Sequence, residues 1–151
     1  MNYSTDEFQT AMTQGEQVRG GSLLALLEAA RCVQERLEAA LEEVGLSPAK
    51  FQALDALVRA GKPLALSELA GCLKCVRSNV TQLADRLESD GLVNRVDDPG
   101  DRRAIHAVVT PLGVERHAAG AAAITELQLD LARRIAPSER ESFLRVLSSL
   151  S

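Results

Sequence analysis

"LSELAGCLKCVRSNVTQLADRLESDG", residues 66–91, decides how the rest of this chain is read. Leu66, Leu69, Ala70 and Leu73 recur at i, i+3, i+4 and i+7, which lays one apolar stripe along a short helix. The same spacing restarts at Val80, Leu83, Ala84 and Leu87 after a short break. Ser67 is placed to cap the first helix with Glu68 near its positive end, and Gly91 to stop the second in the left-handed conformation. Two short amphipathic helices joined by a tight turn make a helix-turn-helix pattern.

The segments on either side extend that pattern. "GLVNRV" at 91–96 and "AIHAVV" at 104–109 are β-prone and flank the turn-rich "DDPGDRR", which predicts a hairpin with a long loop. A helix-turn-helix followed by such a hairpin is a winged helix. Upstream, "LSPAKFQALDALV" at 46–58 offers Ser47 as N-cap and Pro48 at the first helical position, with Phe51, Leu54, Leu57 and Val58 on the inner face. "GKP" at 61–63 closes that helix and leads into a short extended piece at 64–66. Thr110 and Pro111 make the same kind of start for a long helix running to about Arg134.

From Ser22, the residues Leu23, Leu26, Ala30, Val33, Leu37, Ala40 and Val44 step by three and four along a helix of about six turns, ended by Gly45. Leu27 and Leu41 widen its stripe beyond what a small domain can hide. "APSERESFLRVLSSL" at 136–150 predicts a last helix with Phe143, Leu144, Leu147 and Leu150 inward. That is more helix than one small core can use, so a second copy of the chain is the expected cover. Residues 1–20, polar and broken by Gly15 and the pair Gly20–Gly21, read as a mobile arm.

Length and composition agree with this picture. The chain has 151 residues, enough for one core, with 46% hydrophobic and 25% charged residues and few Gly and Pro. The longest apolar runs, "LLALL" at 23–27 and "AAGAAA" at 118–123, are too short to span a membrane. "MNYSTDEFQT" has neither the basic nor the apolar region of a secretory leader, and three cysteines without an export signal predict free thiols in a reducing cytoplasm. The net charge of −4 excludes only an indiscriminately basic nucleic-acid binder, because residues 74–103 hold six basic and six acidic side chains.

The run "LSELAGCLKCVRSNVTQLADRLESDGLVNRVDDPGDRRAIHAVVTPLG" resembles the MarR family of bacterial transcriptional regulators. Its strongest parts are "NVTQLADRLESDGLVNR", the run Asp101-Arg102-Arg103, and "VTPLG", similar to the family's L-T-x-x-G. The likeness runs from about residue 22 to the end. It implies a homodimer of winged-helix subunits that binds double-stranded DNA, with release by a small ligand or by oxidation. The expected fold is mainly α with a small β-wing, a winged helix-turn-helix flanked by N- and C-terminal dimerisation helices. Its parts are the arm 1–20, a helical dimerisation region 21–45 and 111–151, and a winged-helix DNA-binding region 46–110, in one compact subunit. The expected function is a dimeric repressor on a pseudo-palindromic operator, cytoplasmic, not an enzyme, without cofactor or membrane partner. The effector, a small molecule or an oxidant, is unidentified.

With Val80 and Leu87 inward, Ser78, Asn79, Gln82, Asp85, Arg86 and Ser89 point away from the core at about 100° per residue. Asn79 and Gln82 suit adenine edges, and Arg77 suits guanine from the helix start. Ser78, Thr81 and Arg86 suit phosphate. The alternative is an ordinary solvated face. In the wing, Arg102 or Arg103 suits the minor groove. The resemblance singles out Arg103, braced by Asp101; a surface salt bridge is the alternative. Arg95, at the wing base, suits packing or a phosphate equally.

Cys72 and Cys75 form a C-x-x-C spacing that also fits a metal-responsive repressor of the ArsR type. The further ligands would have to come from Cys32, His106 or His117, and no second C-x-x-C exists. A winged helix kept as a protein-binding module is a third reading. The resemblance puts Cys75 where the family usually buries Val or Ile, so core filling explains it. The next position usually holds a capping residue and here holds Val76. That leaves Cys75 beside an uncapped helix start with Lys74 and Arg77 adjacent, which also fits a redox switch.

Overall fold

A computed structural model describes residues 5–97 and 104–149, with side chains from Leu23 onward, Arg77 excepted. In chain order the elements are α1 (Thr5–Glu42), α2 (Pro48–Ala60), β1 (Leu64–Ala65), α3 (Leu66–Leu73) and α4 (Arg77–Ser89). After these come β2 (Val93–Asp97), β3 (Ile105–Val109), α5 (Pro111–Arg134) and α6 (Arg140–Ser149). The strands form one antiparallel sheet in the order β1-β3-β2, with Leu64 opposite Ala107 and Val93 opposite Val109. This is a winged helix: mainly α, with a small β-wing. Leu150 and the wing run Asp101, Arg102 and Arg103 lie outside the described residues.

The chain divides into two compact units, residues 1–36 and 37–151. In the first, Leu23, Leu24, Leu26, Leu27 and Val33 are exposed, and Arg31 pairs with Glu28 at 2.6 Å and with Glu35 along the helix surface. Helix α1 starts at Thr5 rather than near Ser22 and continues through Gly15, Gly20 and Gly21. Each helical glycine costs about 1 kcal/mol relative to alanine, which weakens a helix without ending it. Proline would end it, and none occurs before Pro48.

The second unit holds the core. Leu41, Leu54, Leu57, Leu69, Val80, Leu87 and Val93 are almost wholly excluded from solvent. The chain enters α2 as its sequence predicts: Ser47 Oγ accepts from Lys50 N–H at 3.3 Å and Pro48 opens the helix. Helix α3 begins differently. Its N-cap is Ala65, not Ser67, because β1 runs directly into the helix and the Glu68 carboxylate folds back to accept the Ala65 N–H at 2.9 Å. Glutamate at the third helical position performs half of a capping box in this way, without a capping hydroxyl.

Gly91 closes α4 with φ +71°, and the amides of Gly91 and Leu92 bond back to Glu88 and Leu87 at 2.9 and 2.8 Å. That paired bonding satisfies two carbonyls a helix end would otherwise leave bare. The wing base, the end of α4 and the start of α5 then meet at Thr110. Its hydroxyl donates to Gly91 O at 2.7 Å and accepts from Gly113 N–H at 3.0 Å, while its amide donates to Leu92 O at 3.0 Å. A Cβ at Gly113 would sit 2.1 Å from Leu92 O, so the fourth residue of "TPLG" must be glycine. Gly120 lets α5 approach α2 in the same manner, with Phe51 Cδ2 2.8 Å from where a Cβ would lie.

Helix α6 departs from expectation. Phe143, Leu144 and Leu147 are exposed rather than inward, and none of its residues is buried. The core formed by α2, α3, α4 and the wing does not extend to this helix.

Gly113→Ala is expected to destabilise the fold by about 3 kcal/mol, because backbone rather than a side chain must move. Gly61→Ala, at φ +61° in open space, should cost only about 1 kcal/mol from the left-handed backbone. Urea denaturation of the two variants checks the order; equal losses would refute the close-approach account of Gly113.

Candidate nucleic-acid interface

Helix α4 has two faces. Val80, Ala84 and Leu87 are completely buried, and Leu83 packs against the same core. Ser78, Asn79, Thr81, Gln82, Asp85, Arg86 and Ser89 are exposed. The structure therefore brings Ser78, Asn79, Thr81, Gln82 and Arg86 onto the solvent side of one rigid helix. Arg77 opens the helix, its side chain outside those described.

The N-terminus of α4 has no side-chain cap. Val76 occupies the N-cap with extended backbone, and Ser78 does not substitute for it. The Asn79 amide turns back to Val76 O at 3.0 Å, and no side-chain oxygen caps the helix start ahead of it. Uncapped amides at a helix start carry partial positive charge and suit a phosphate.

The turn before α4 is also particular. Lys74 has φ +49°, the left-handed region, with its amide bonded to Gly71 O and that of Cys75 to Ala70 O, both at 3.2 Å. Glycine is the usual residue there, since a Cβ in this conformation costs about 1–2 kcal/mol. Cys75 is half-buried against the core and Cys72 is exposed. The two thiols line different cavities. Cys72 borders a groove of about 610 Å³ beside α2, with Asp55, Arg59 and Lys74. Cys75 borders one of about 310 Å³ shared with Gln52, Asn79, Gln82 and Arg86.

Among the described residues no three His, Cys, Asp or Glu side chains come together as a metal-ligand set. His117 is instead hydrogen-bonded to Asp55 Oδ1 at 3.0 Å and stacked on Phe51, with ring centres 5.3 Å apart. Cys32 lies in the first unit, on α1 beside Glu28.

Arg95 is drawn toward α4. Its Nε and Nη2 donate to Glu88 Oε2 at 2.7 and 2.6 Å, Nη1 pairs with Asp85 Oδ1, and its amide donates to Glu88 Oε1 at 3.1 Å. Hydrogen bonds from Arg95 hold the Glu88 carboxyl below the ordinary glutamate value. Helical periodicity does not contain this contact, which joins residues seven and ten apart across the Gly91 turn. The one hint in the sequence is the i, i+3 spacing of Asp85 and Glu88 ahead of a strand arginine. A second ion pair missed by periodicity, Lys50 Nζ to Asp90 Oδ2 at 2.5 Å, ties the start of α2 to the end of α4.

Fold and exposed helix together define a winged helix-turn-helix protein. The MarR family model matches residues 44–104. An HTH-type transcriptional regulator from Bacillus subtilis, YkoM, is 36% identical over 74 residues, 49% of this chain and 47% of that protein. The HTH-type transcriptional repressor MdtR, also from Bacillus subtilis, is 32% identical over 102 residues, 68% of this chain and 65% of that protein. The chain thus spans about half to two thirds of the length of these relatives. A MarR mutant from E. coli, solved in complex with operator DNA, shares the fold. Its TM-score is 0.71 at 19% identity, over 89% of this chain and 96% of that one. Over residues 44–104 the chain is thus similar to the MarR family.

Lys74→Gly is expected to stabilise the folded protein by about 1 kcal/mol, read as a raised urea midpoint. A lowered midpoint would mean that the Lys74 side chain contributes more than its backbone costs. The depressed Glu88 value sets a sign as well. Its contribution to stability is present above the ordinary value of 4.5 and is lost as pH falls below that through the depressed one. Glu88→Gln should therefore lose less stability than wild type between about pH 6 and about pH 3.5. Equal losses would show that the Arg95 contact does not depend on the Glu88 charge.

Proposed function

We propose that this chain is a dimeric transcriptional repressor that binds a pseudo-palindromic operator in double-stranded DNA. The observation that carries this reading is the two-faced α4: one side immobilised in the core, the other presenting Ser78, Asn79, Thr81, Gln82 and Arg86 beyond an uncapped N-terminus. A helix of this size fits the major groove. Asn79 and Gln82 can each bond an adenine edge with both amide atoms, and Arg77 a guanine. Ser78, Thr81, Arg86 and the open amides suit the flanking phosphates. Arg103, braced by Asp101 and next to Arg102, is assigned to the minor groove beyond the wing. The repressor role follows the likeness to MdtR.

The dimer is assigned to residues 21–45 and 111–151, where Leu26, Leu27, Leu129, Phe143, Leu144 and Leu147 are exposed on a single chain. Exposed apolar side chains clustered this way mark an association surface. Two-fold pairing would set two copies of α4 about one helical turn of DNA apart. A small ligand, or an oxidant acting at the α3–α4 turn, would release the DNA, and Cys75, half-buried in that turn, is the thiol assigned to the oxidant. Among the described residues no helix is long and apolar enough to cross a membrane. A repressor of this kind works in the cytoplasm.

Footprinting the pure protein on genomic fragments tests the whole reading, and failure to protect any site at low salt would overturn it. On a protected site, Asn79→Ala should cost about 1–3 kcal/mol and relax preference at one base position. Arg103→Ala should flatten the slope of log K against log salt by about one unit, and an unchanged slope would remove the wing assignment. Leu144→Glu together with Leu147→Glu should give monomers in sedimentation and abolish operator binding. A variant that remains dimeric would move the interface elsewhere.

A further inference from the structure

Asp85 and Glu88 stand one turn apart on α4, Asp85 on the exposed face shared with Gln82 and Arg86. On a helix that meets phosphates, two carboxylates are unfavourable, because like charges across an interface repel. Both are engaged by one guanidinium. Arg95 lies in the middle of β2, opposite Ala107 of β3, with its backbone amide bonded to Glu88 of α4. Its amide and Nε hold the two oxygens of Glu88, Nη2 adds a second bond to Oε2, and Nη1 takes Asp85. All three guanidinium nitrogens are thus turned to the helix, in the planar fork geometry that arginine has and lysine lacks. The Arg95 side chain is 31% exposed, against 52% for Asp85. The cation lies deeper than the carboxylate it neutralises.

We propose that Arg95 is a positioning residue: it neutralises Asp85 and Glu88 and locks the wing root to α4, without itself contacting DNA. The proposal rests on α4 being the DNA-reading helix. It replaces a phosphate contact at Arg95 with a role exercised through the helix. The wing strand and the second half of α4 are thereby one electrostatic unit. A change in either carboxylate acts on the wing, and a change at Arg95 acts on the helix.

The test uses the duplex that wild-type protein selects from a random-sequence pool, with affinity measured across a salt series. Arg95→Gln is expected to bind roughly tenfold more weakly, since two carboxylates then face the phosphates unneutralised. Adding Asp85→Asn and Glu88→Gln to that variant removes the repulsion. The triple variant should return to within about threefold of wild type, or bind more tightly, with a salt slope within about half a unit of wild type. Arg95→Lys, a point charge without the fork, should fall between. A triple variant as weak as Arg95→Gln, with its slope flattened by about one unit, makes Arg95 a phosphate contact and overturns the proposal. Should Arg95→Gln fail to fold, the triple variant against wild type carries the same comparison through its slope. Wild type that selects no duplex would remove the DNA reading itself, and the proposal with it. That outcome differs from a lost rescue on a duplex that wild type does bind.

Discussion

The burial of Val80, Ala84 and Leu87 is the constraint on which everything else in this molecule depends. Fully burying a leucine or valine side chain stabilises by about 1.5–3 kcal/mol, and these three positions fix α4 in rotation and depth against the core. Only then does the opposite face acquire a defined direction. Side chains one turn apart become a single fixed surface because the helix beneath them cannot roll. The Gly91 turn and the Lys50–Asp90 pair hold the end of the same helix, and Arg95 holds its flank.

Much of the fold was legible because it is written in short-range chemistry. Ser47–Pro48 and Thr110–Pro111 start helices where the sequence says they should, since a capping oxygen needs only the amide three residues on. Gly91 stops α4 because a left-handed residue is required there, and the missing cap at Val76 is visible as a valine where a hydroxyl would serve. Ser67 misled for an instructive reason. The cap depends on how the chain arrives, and β1 brings it in two residues earlier, within reach of Glu68. The start of α1 was obscured by glycines that weaken a helix without forbidding it.

The candidate site divides in the same way. Periodicity alone puts Asn79, Gln82 and Arg86 on the exposed side of α4, because a helix with a buried stripe has only one other side to offer. What periodicity omits is any contact made across a turn. The destination of Arg95 requires the β2–β3 register and the reversal at Gly91 together, neither of which shows in the arginine itself. The left-handed backbone at Lys74 is hidden likewise, since a lysine carries no sign of the conformation it is made to adopt. The C-x-x-C spacing drew attention to chemistry, yet its two thiols open onto separate grooves.

The junction at Gly113 has a mechanical consequence. With Leu92 O where a Cβ would lie and Thr110 bonded both to Gly91 and to Gly113, the start of α5 is fixed to the wing base with no slack between them. A long helix anchored at one end acts as a lever arm. In a dimer joined through α5 and α6, a small pivot at the subunit contact would swing both reading helices through a larger arc. In the proposed dimer, α5 would set the separation of the two half-sites. Residues far from any base could retune which operator spacing is accepted while leaving every base-reading side chain as it is.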